Sequence, residues 1–468
     1  MGLPDVNIVI LDGGLGLLPP SASGLHCKVG VASKGIIGQI VALSSADQVA
    51  DAFGTGPLAN ALYDSFMAGA GVIYAVRADG DIPGTIGAVT ATKTGQGNMT
   101  VSGSPLDAYD VIVEIIDPRM LNVATFRYSL DGGDTYSRKA TVPSGGTYQI
   151  PETGITLTFT EYATAPDDSF KAGDKYTFKT TAPGASVSSI NAAIDPLIGT
   201  NAAYELIHVV GDSTSSMWAA LSARAAEAES KFRWIHFVAE ARGPSATEDV
   251  DAWVNALVTE ASGFASPRVS VVAARAEIAD MKTGRIVDRN GAGIYVGRLM
   301  SGKVSQSPGK VMVGPLPGIN RLNPYGINDG HITMLDEARY VTFRHYEGYG
   351  GTYVTNGRMM AEPGSDFTYV EARRTMDKAC RLVRFAALRF MQAEATPSGL
   401  DDLEARLQEP LGIMKAEGEI LSGRVVIPRD QNILAGAKLQ AKVRIVPIPI
   451  MREIEVEIGF ENPFARVA

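Results

Sequence analysis

Apolar and polar positions alternate most strictly in two short stretches near opposite ends of the sequence. Val6, Ile8 and Ile10 alternate with Asp5, Asn7 and Val9, and Ile454, Val456, Ile458 and Phe460 alternate with Glu453, Glu455, Glu457 and Gly459. A period of two predicts strands with one apolar face. A strand needs a partner for its backbone donors and acceptors, and the second stretch arrives when almost no sequence remains to supply one. The first is followed by "DGGLGLLPPSASG", which has the composition of a flexible linker.

Between these stretches the pattern has two textures. Apolar strands ("LHCKVGVAS", "VIYAVRAD") bracket two helices, "SSADQVADAFG" with Ser45 as expected N-cap and Gly54 as stop, and "PLANALYDSFMAGAG" starting at Pro57. The alternation resumes through "AYELIHVVGD", "SSMWAALSARAAEAESK", "RWIHFVAEA", "TEDVDAWVNALVTEAS" and "RVSVVAARAEI". Strands spaced by helices of this length predict a mainly parallel sheet covered on both faces. From 86 to 184, short alternating runs such as "DVIVEIID" and "GITLTFTE" are joined by Gly-, Pro- and Asp-rich turns. That texture predicts an inserted all-β, sandwich-like domain. Beyond "HYEGYGGTYVTNGRMM", a long helix is expected over roughly 366–395 and a second in "GLDDLEARLQEPLGIMKAEGE", broken or restarted at Pro410. Three closing strands are expected, in "GRVVIP", "AKLQAKVRIVP" and the stretch at 452–460.

Composition narrows the class. A length of 468 residues suggests two or three domains, and 45% apolar against 20% charged residues permits sizeable cores. A net charge of −9 argues weakly against nucleic acid as a partner. Cys27 and Cys380 lie far apart, which disfavours a disulfide framework and suggests a reducing compartment. The opening residues lack a basic n-region, and no apolar run approaches the roughly 18 residues that span a bilayer. We expect a soluble protein made and kept in a cytosol, with no signal peptide and no membrane insertion.

Candidate chemistry is sparse. The five histidines, His26, His208, His236, His331 and His345, form no metal-binding spacing, and there is no CxxC. His208 and His236 sit inside apolar strands, where hydrogen-bonded core histidines are expected. "GTGPLA" at 54–59 comes nearest to a phosphate loop but follows a helix, and no GxSxG occurs. "SLDGGDTY" at 129–136 resembles an Asp-box, which reads as a self-bonded turn before any carbohydrate or calcium role. On the helix after 366, Arg374, Lys378, Arg381 and Arg389 form a basic stripe opposite Met376, Ala379, Cys380, Val383 and Phe390. The stripe is either a solvated face or a docking surface for an acidic partner. No catalytic residue, metal or cofactor is expected, and the protein is expected not to be an enzyme.

Taken in order, several segments resemble the contractile tail sheath proteins of phage tails, R-type bacteriocins and related injection systems. "VGVASKGIIGQIVALSSADQVADAFGTGPLANALYDSFMAGAGVIYAVRAD" (29–79) is similar to the opening of the family's conserved domain. "FTYVEARRTMDKACRLVRFAAL" (367–388) is similar to the entry into its C-terminal domain helix, and "RIVPIPIMREIEVEI" to its closing strands. "KGIIG" replaces the usual GP, and "TNGRMMA" replaces the usual "wGaRTl", which marks a divergent branch.

The resemblance implies a fold class: an α/β core with a mainly parallel sheet, an inserted β domain, and an α+β C-terminal domain with exchangeable terminal strands. It implies an arm and linker at 1–24, a discontinuous core at 25–85 and 185–345, and an outward-facing insert at 86–184. A tube-proximal domain would occupy 346–450 and an arm strand 451–468. It further implies a structural subunit that forms hexameric rings stacked helically around an inner tube protein. Such a sheath contracts by repacking, works with baseplate and terminator proteins, and belongs to a virion tail or injection particle assembled in the bacterial cytoplasm. The two arm strands would add to neighbouring subunits, and Arg374, Lys378, Arg381 and Arg389 become a candidate tube contact. The alternative is an α/β enzyme or ligand-binding protein with an accessory, carbohydrate-binding β domain.

Overall fold

A computed structural model describes residues 23–245 and 247–460. They fall into two compact units divided after Phe385. The division lies inside a helix, well beyond the expected border at 346.

The first unit begins with β1 (His26–Gly30), β2 (Ile40–Leu43), α1 (Asp47–Phe53), α2 (Pro57–Met67) and β3 (Ile73–Arg77). Gly54 stops α1 at φ 69°, a conformation that favours a residue without Cβ. The N-cap is Ala46, not Ser45, and no side chain caps this helix. Eight strands follow: β4 (Thr90–Thr92), β5 (Asn98–Gly103), β6 (Asp110–Asp117), β7 (Thr125–Ser129), β8 (Ala140–Thr141), β9 (Thr147–Ile150), β10 (Ile155–Thr160) and β11 (Lys175–Lys179). They make two antiparallel sheets, β5-β10-β9 and β4-β11-β6-β7-β8, around one apolar cluster that includes Val113, Phe126, Leu157 and Phe178. The insert leaves and rejoins the core at adjacent points, since Ile82 bridges Gly184 and Ile86 bridges Thr180.

The chain then forms α3 (Val187–Gly199), β12 (Leu206–Ser213), α4 (Ser215–Ser230), β13 (His236–Ala241), α5 (Val250–Ser262) and β14 (Val269–Val272). The six core strands lie in the order β14-β13-β12-β1-β3-β2. Every neighbouring pair is parallel except β2 with β3. On one face, Cys27, Val29, Ile207 and Phe237 pack under α3, α4 and α5 through Ile194, Trp218 and Trp253.

The other face is covered by α2 and by a later helix. β15 (Arg275–Ala279) and β16 (Ile286–Asn290) lead into α6 (Ala292–Ser301), which is buried along almost its whole length. Gly293 and Gly297 lie one turn apart on α6. A Cβ at Gly297 would stand 2.6 Å from both the Ala68 Cβ and the Ser65 carbonyl oxygen of the α2 segment. That glycine pair sets how closely α6 approaches α2. β17 (Ile319–Asn323), α7 (Asp329–Glu337), β18 (Phe343–Tyr346), β19 (Tyr349–Val354) and α8 (Val370–Leu388) complete this unit's elements, with α8 running just across the division.

The second unit contains α9 (Pro397–Ala416), β20 (Ile420–Val426), α10 (Ile433–Gly436) and β21 (Lys442–Pro447). α9 runs unbroken through Pro410. Burial of Leu403, Leu407, Leu411 and Met414 on one side of α9 accounts for its tolerance of one missing backbone donor. β20 and β21 form a two-stranded antiparallel sheet, the smallest sheet possible.

Candidate assembly surfaces

Residues 448–460 follow β21 and join no strand. The alternation foreseen at 452–460 is therefore not a strand within one copy. Ile454, Val456, Ile458 and Phe460 are all exposed, Ile458 to 91%. Four large apolar side chains standing alternately in water are costly in an isolated chain and favourable once covered. Val6, Ile8 and Ile10 lie outside the described residues.

The β20–β21 hairpin has two edges, and they differ. On β20, the Gln408 side chain of α9 donates to the Gly423 carbonyl (2.8 Å) and accepts from the Val425 N–H (2.9 Å). One amide thus stands in for a neighbouring strand and closes that edge. Because the backbone groups of Gly423 and Val425 face Gln408, those of Arg424 face β21 and make the hydrogen-bonded pair with Arg444. On β21 the outward residues are then Val443 and Ile445, and no described residue pairs with that edge. Gln408 could not be singled out from sequence, since only the register reveals it.

The basic stripe divides when placed in the fold. Arg374 is 1% exposed, with Nε donating to Glu205 Oε2 at 2.6 Å and Nη1 to the Leu299 carbonyl at 2.8 Å. Burial alone would raise Glu205, but the Arg374 guanidinium outweighs it and holds the carboxyl below its usual range. Arg381 donates to the Trp234 carbonyl at 2.8 Å, and Lys378 is half-buried. Nearby, Asp377 accepts from both Arg268 (2.8 Å) and Arg373 (2.6 Å). Arg373, Arg374 and Arg381 of α8 thus turn into the core, where buried carboxylates and backbone carbonyls receive them. Arg389, past the helix end, is the exposed member.

A second polar line runs under α2 and α6. Lys28 Nζ lies 2.7 Å from His208 Nδ1, and His208 Nε2 lies 2.9 Å from Glu240 Oε1. Burial draws the two end charges toward neutrality, Lys28 down to about 7 and Glu240 up to about 7. Asp64 of α2 receives Arg289 at 2.5 Å, which also reaches Asp280 at 3.0 Å. Burial still pushes Asp64 up to about 6. His26 and His236 are fully buried beside Leu206 with no hydrogen-bond partner on either ring nitrogen. His208 is the hydrogen-bonded core histidine expected from its strand; His236 is not.

The Asp-box folds as a self-bonded turn. Ser129 Oγ donates to Asp131 Oδ1 (2.6 Å) and accepts from the Gly133 N–H (2.8 Å), while Thr135 N–H donates to Asp131 (2.9 Å). Next to it, Asp134 pairs with Arg285 of the core at 2.6 Å. Asp336 is taken up by Arg358 and Asn356. Among the described residues no cluster of His, Cys, Asp or Glu could hold a metal ion, and no helix is long and apolar enough to cross a membrane.

Comparisons with known proteins agree with this architecture. A protein of Haemophilus phage HP1 that carries the provisional name of tail sheath protein is 27% identical over 188 residues, 36% of this chain. The match spans about half (50%) of that relative's own length. The sheath complex of the PVC extracellular contractile injection system, in its contracted state, matches 98% of this chain and 98% of its own. Its TM-score is 0.57 at 12% identity. The contracted helical sheath of the anti-feeding prophage matches 98% of this chain and 100% of its own, with TM-score 0.55 and 12% identity. The fold is therefore that of contractile sheath proteins. Residues 3–358 match the DUF2586 N-terminal domain and residues 366–465 the DUF2586 C-terminal domain, so the chain belongs to the DUF2586 family.

Proposed function

We propose that this chain is a structural sheath subunit, one that polymerises into a helical tube of stacked rings around an inner tail tube. Contraction by repacking would drive that tube through a cell envelope. The observation that carries the reading is the segment at 448–460, outside any strand and with four exposed apolar side chains, on a fold shared with sheath proteins along nearly the whole chain. Added to a neighbour's sheet, such a segment gains backbone pairing for affinity and side-chain alternation for register. At about 0.5–1.5 kcal/mol net per hydrogen bond, a handful of bonds contributes a few kcal/mol, with apolar burial in addition. Contacts of this head-to-tail kind do not close on one pair; they propagate into rings and helices. The N-terminal segment with Val6, Ile8 and Ile10 supplies the second arm, and its linker absorbs motion between subunits. The extended sheath is a kinetically held packing that a baseplate releases, and the arms keep subunits connected while globular parts repack.

In this reading the partners are further copies of the chain, the tube protein, the baseplate and a tail terminator. The particle is a virion tail or injection device assembled in the bacterial cytoplasm, and the 86–184 insert decorates its outside. Of the four basic positions, Arg389 remains the candidate for touching the tube. Electron microscopy of the concentrated protein tests the proposal. Wild-type chain should give tubes or stacked rings, and chain lacking 452–468 should stay folded, soluble and unassembled. Normal assembly of the shortened chain would sink the arm-exchange account. Arg389→Glu should weaken co-assembly with the tube more than self-assembly; equal loss in both removes the tube contact.

A further inference from the structure

α8 is seated on the first unit differently from α4 and α5. Those helices bury apolar side chains, Met217, Trp218 and Leu221 in α4 and Trp253, Val254 and Leu257 in α5. α8 buries Glu371, Arg373, Arg374, Thr375 and Asp377, together with Val370 and Ala379. Apolar burial is therefore a smaller part of what holds α8, and ion pairs and hydrogen bonds are a larger one.

The seat lies where β12 and β13 begin. Arg374 holds Glu205, the residue before β12. Arg381 donates to the carbonyls of Tyr204 (3.4 Å) and Trp234 (2.8 Å). Arg268, the residue before β14, donates to the Ile235 carbonyl (3.3 Å), to Asp377 (2.8 Å) and to Glu229 of α4 (3.0 Å). Arg373 also donates to Asp377. His236 opens β13 next to Trp234 and Ile235, buried and opposite Leu206, with neither ring nitrogen hydrogen-bonded.

The charges of this seat balance. Four arginines, Arg268, Arg373, Arg374 and Arg381, meet four carboxylates, Glu205, Glu229, Glu371 and Asp377. Tyr295 of α6, and His26 across Leu206 on β1, are titratable neighbours that burial keeps neutral. Burial, with all four arginines adding to it, holds His236 well below its usual range. A proton on His236 would be a fifth positive charge facing four carboxylates.

We propose that acid lifts α8 off the sheet while the sheet stays folded, and that His236 is the group that takes up the proton. Once α8 lifts, water reaches the imidazole, which then titrates near its ordinary value of about 6.5. The seated helix excludes that proton and the lifted helix accepts it. Each pH unit below about 6.5 thus favours lifting by up to about tenfold. Glu205, held below its usual range against burial by Arg374, adds to release at lower pH, below about 4.5. On the opposite face, the apolar cluster around Trp218 and Trp253 carries no such charge and keeps the sheet together. α8 is the helix that crosses the division after Phe385, so acid loosens the lead into the second unit before it unfolds the first.

Hydrogen–deuterium exchange of the full chain tests this, read by mass spectrometry at pH 7.5, 6.5 and 5 and corrected for intrinsic rates. Peptides within 370–388 should lose about thirtyfold in protection between pH 6.5 and 5, and regain it at pH 7.5. Peptides from β13 and α5 should keep theirs. His236→Gln and His236→Leu, neither of which takes up a proton, should each leave α8 protected at pH 5. Glu205→Gln removes a carboxylate instead of adding a proton, so it should expose α8 already at pH 7.5, by about tenfold or more.

Wild-type α8 protection indifferent to pH overturns the proposal. An equal loss in β13 and α5 also overturns it, because the whole unit would then be unfolding. A response that persists in either folded His236 variant removes His236 as the proton acceptor. Protection of α8 that survives Glu205→Gln at pH 7.5 removes charge balance as the cause.

Discussion

Arg374 and Glu205 each expose 1% of their side chains, so each charge is tolerable there only while the other is present. Removing one partner of a buried pair leaves an uncompensated charge, at a typical cost of about 3–5 kcal/mol. Arg374→Ala should lower unfolding free energy by about that amount, read as a shift in urea midpoint; a change under about 1 kcal/mol would mean that water reaches Glu205. The buried histidines make a second residue-scale argument, this one about pH. Burial holds His26, His208 and His236 well below their usual range, with Lys28 adding to the effect at the first two and Arg374 and Arg268 at the third. Below about pH 6.5 the unfolded chain takes up three protons that the fold refuses, so stability falls as pH falls. Glu240, raised to about 7, and Asp64, raised to about 6, act in the opposite sense, because the fold binds their protons where the unfolded chain does not. Burial also raises Asp107 and Asp212, which act in that same opposing sense, so the net fall in stability between about pH 5 and 6 is smaller than the three histidines alone would give. In urea unfolding at pH 5, 6 and 7, His236→Leu should lose less stability on acidification than the parent, by about one proton's worth or about 1.4 kcal/mol per pH unit below about pH 6. Stability that rises on acidification would show the carboxyls to dominate.

At the scale of elements, α6 depends on having no side chains where it meets α2. Substituting alanine for an interior helix glycine ordinarily stabilises by up to about 1 kcal/mol. At Gly297 the new methyl would meet a methyl and a backbone oxygen at 2.6 Å, neither being the end of a flexible side chain, so overpacking decides the sign. Gly297→Ala should destabilise by about 1–3 kcal/mol in the same urea assay, and a stabilised variant would show that α6 and α2 can separate without loss. Elements were legible in the sequence wherever a local period specified one buried face. β1, β3, α1, α2, α4, α5 and β12 to β14 of the core, and β6 and β10 of the insert, are such cases. Legibility failed where a side chain's partner lies far along the chain. Helical spacing set Arg374 and Arg381 on one stripe with Arg389, but it could not reveal that Glu205 and the Trp234 carbonyl wait beneath the first two. Pro410 reads as a break locally and is overridden by the apolar residues that α9 buries around it. Period two at 452–460 is a statement about strand pairing, and among the described residues of one copy no strand pairs with it.

For the whole molecule, the insert offers the clearest division of labour. It has its own apolar cluster, and its ends meet at the Ile86–Thr180 bridge. Its polar ties to the core include Lys34 with Glu152 (3.4 Å), Arg285 with Asp134 (2.6 Å), and the Gly56 N–H with Asp107 (2.9 Å). The two ion pairs are largely solvated and are worth at most about 1 kcal/mol each, little beside the burial that holds the six-stranded sheet together. Replacing 87–179 by a short Gly-containing turn between Ile86 and Thr180 should therefore leave a core that unfolds cooperatively, within a few degrees of the parent. If the insert is outward decoration, the trimmed chain should also form the same tubes or rings in the electron microscope, with a smaller outer diameter and an unchanged inner one. Loss of assembly with the fold intact would instead give the insert a part in subunit contact. A narrowed inner channel would contradict its outward position, because removing mass from the outside cannot change what the innermost residues enclose.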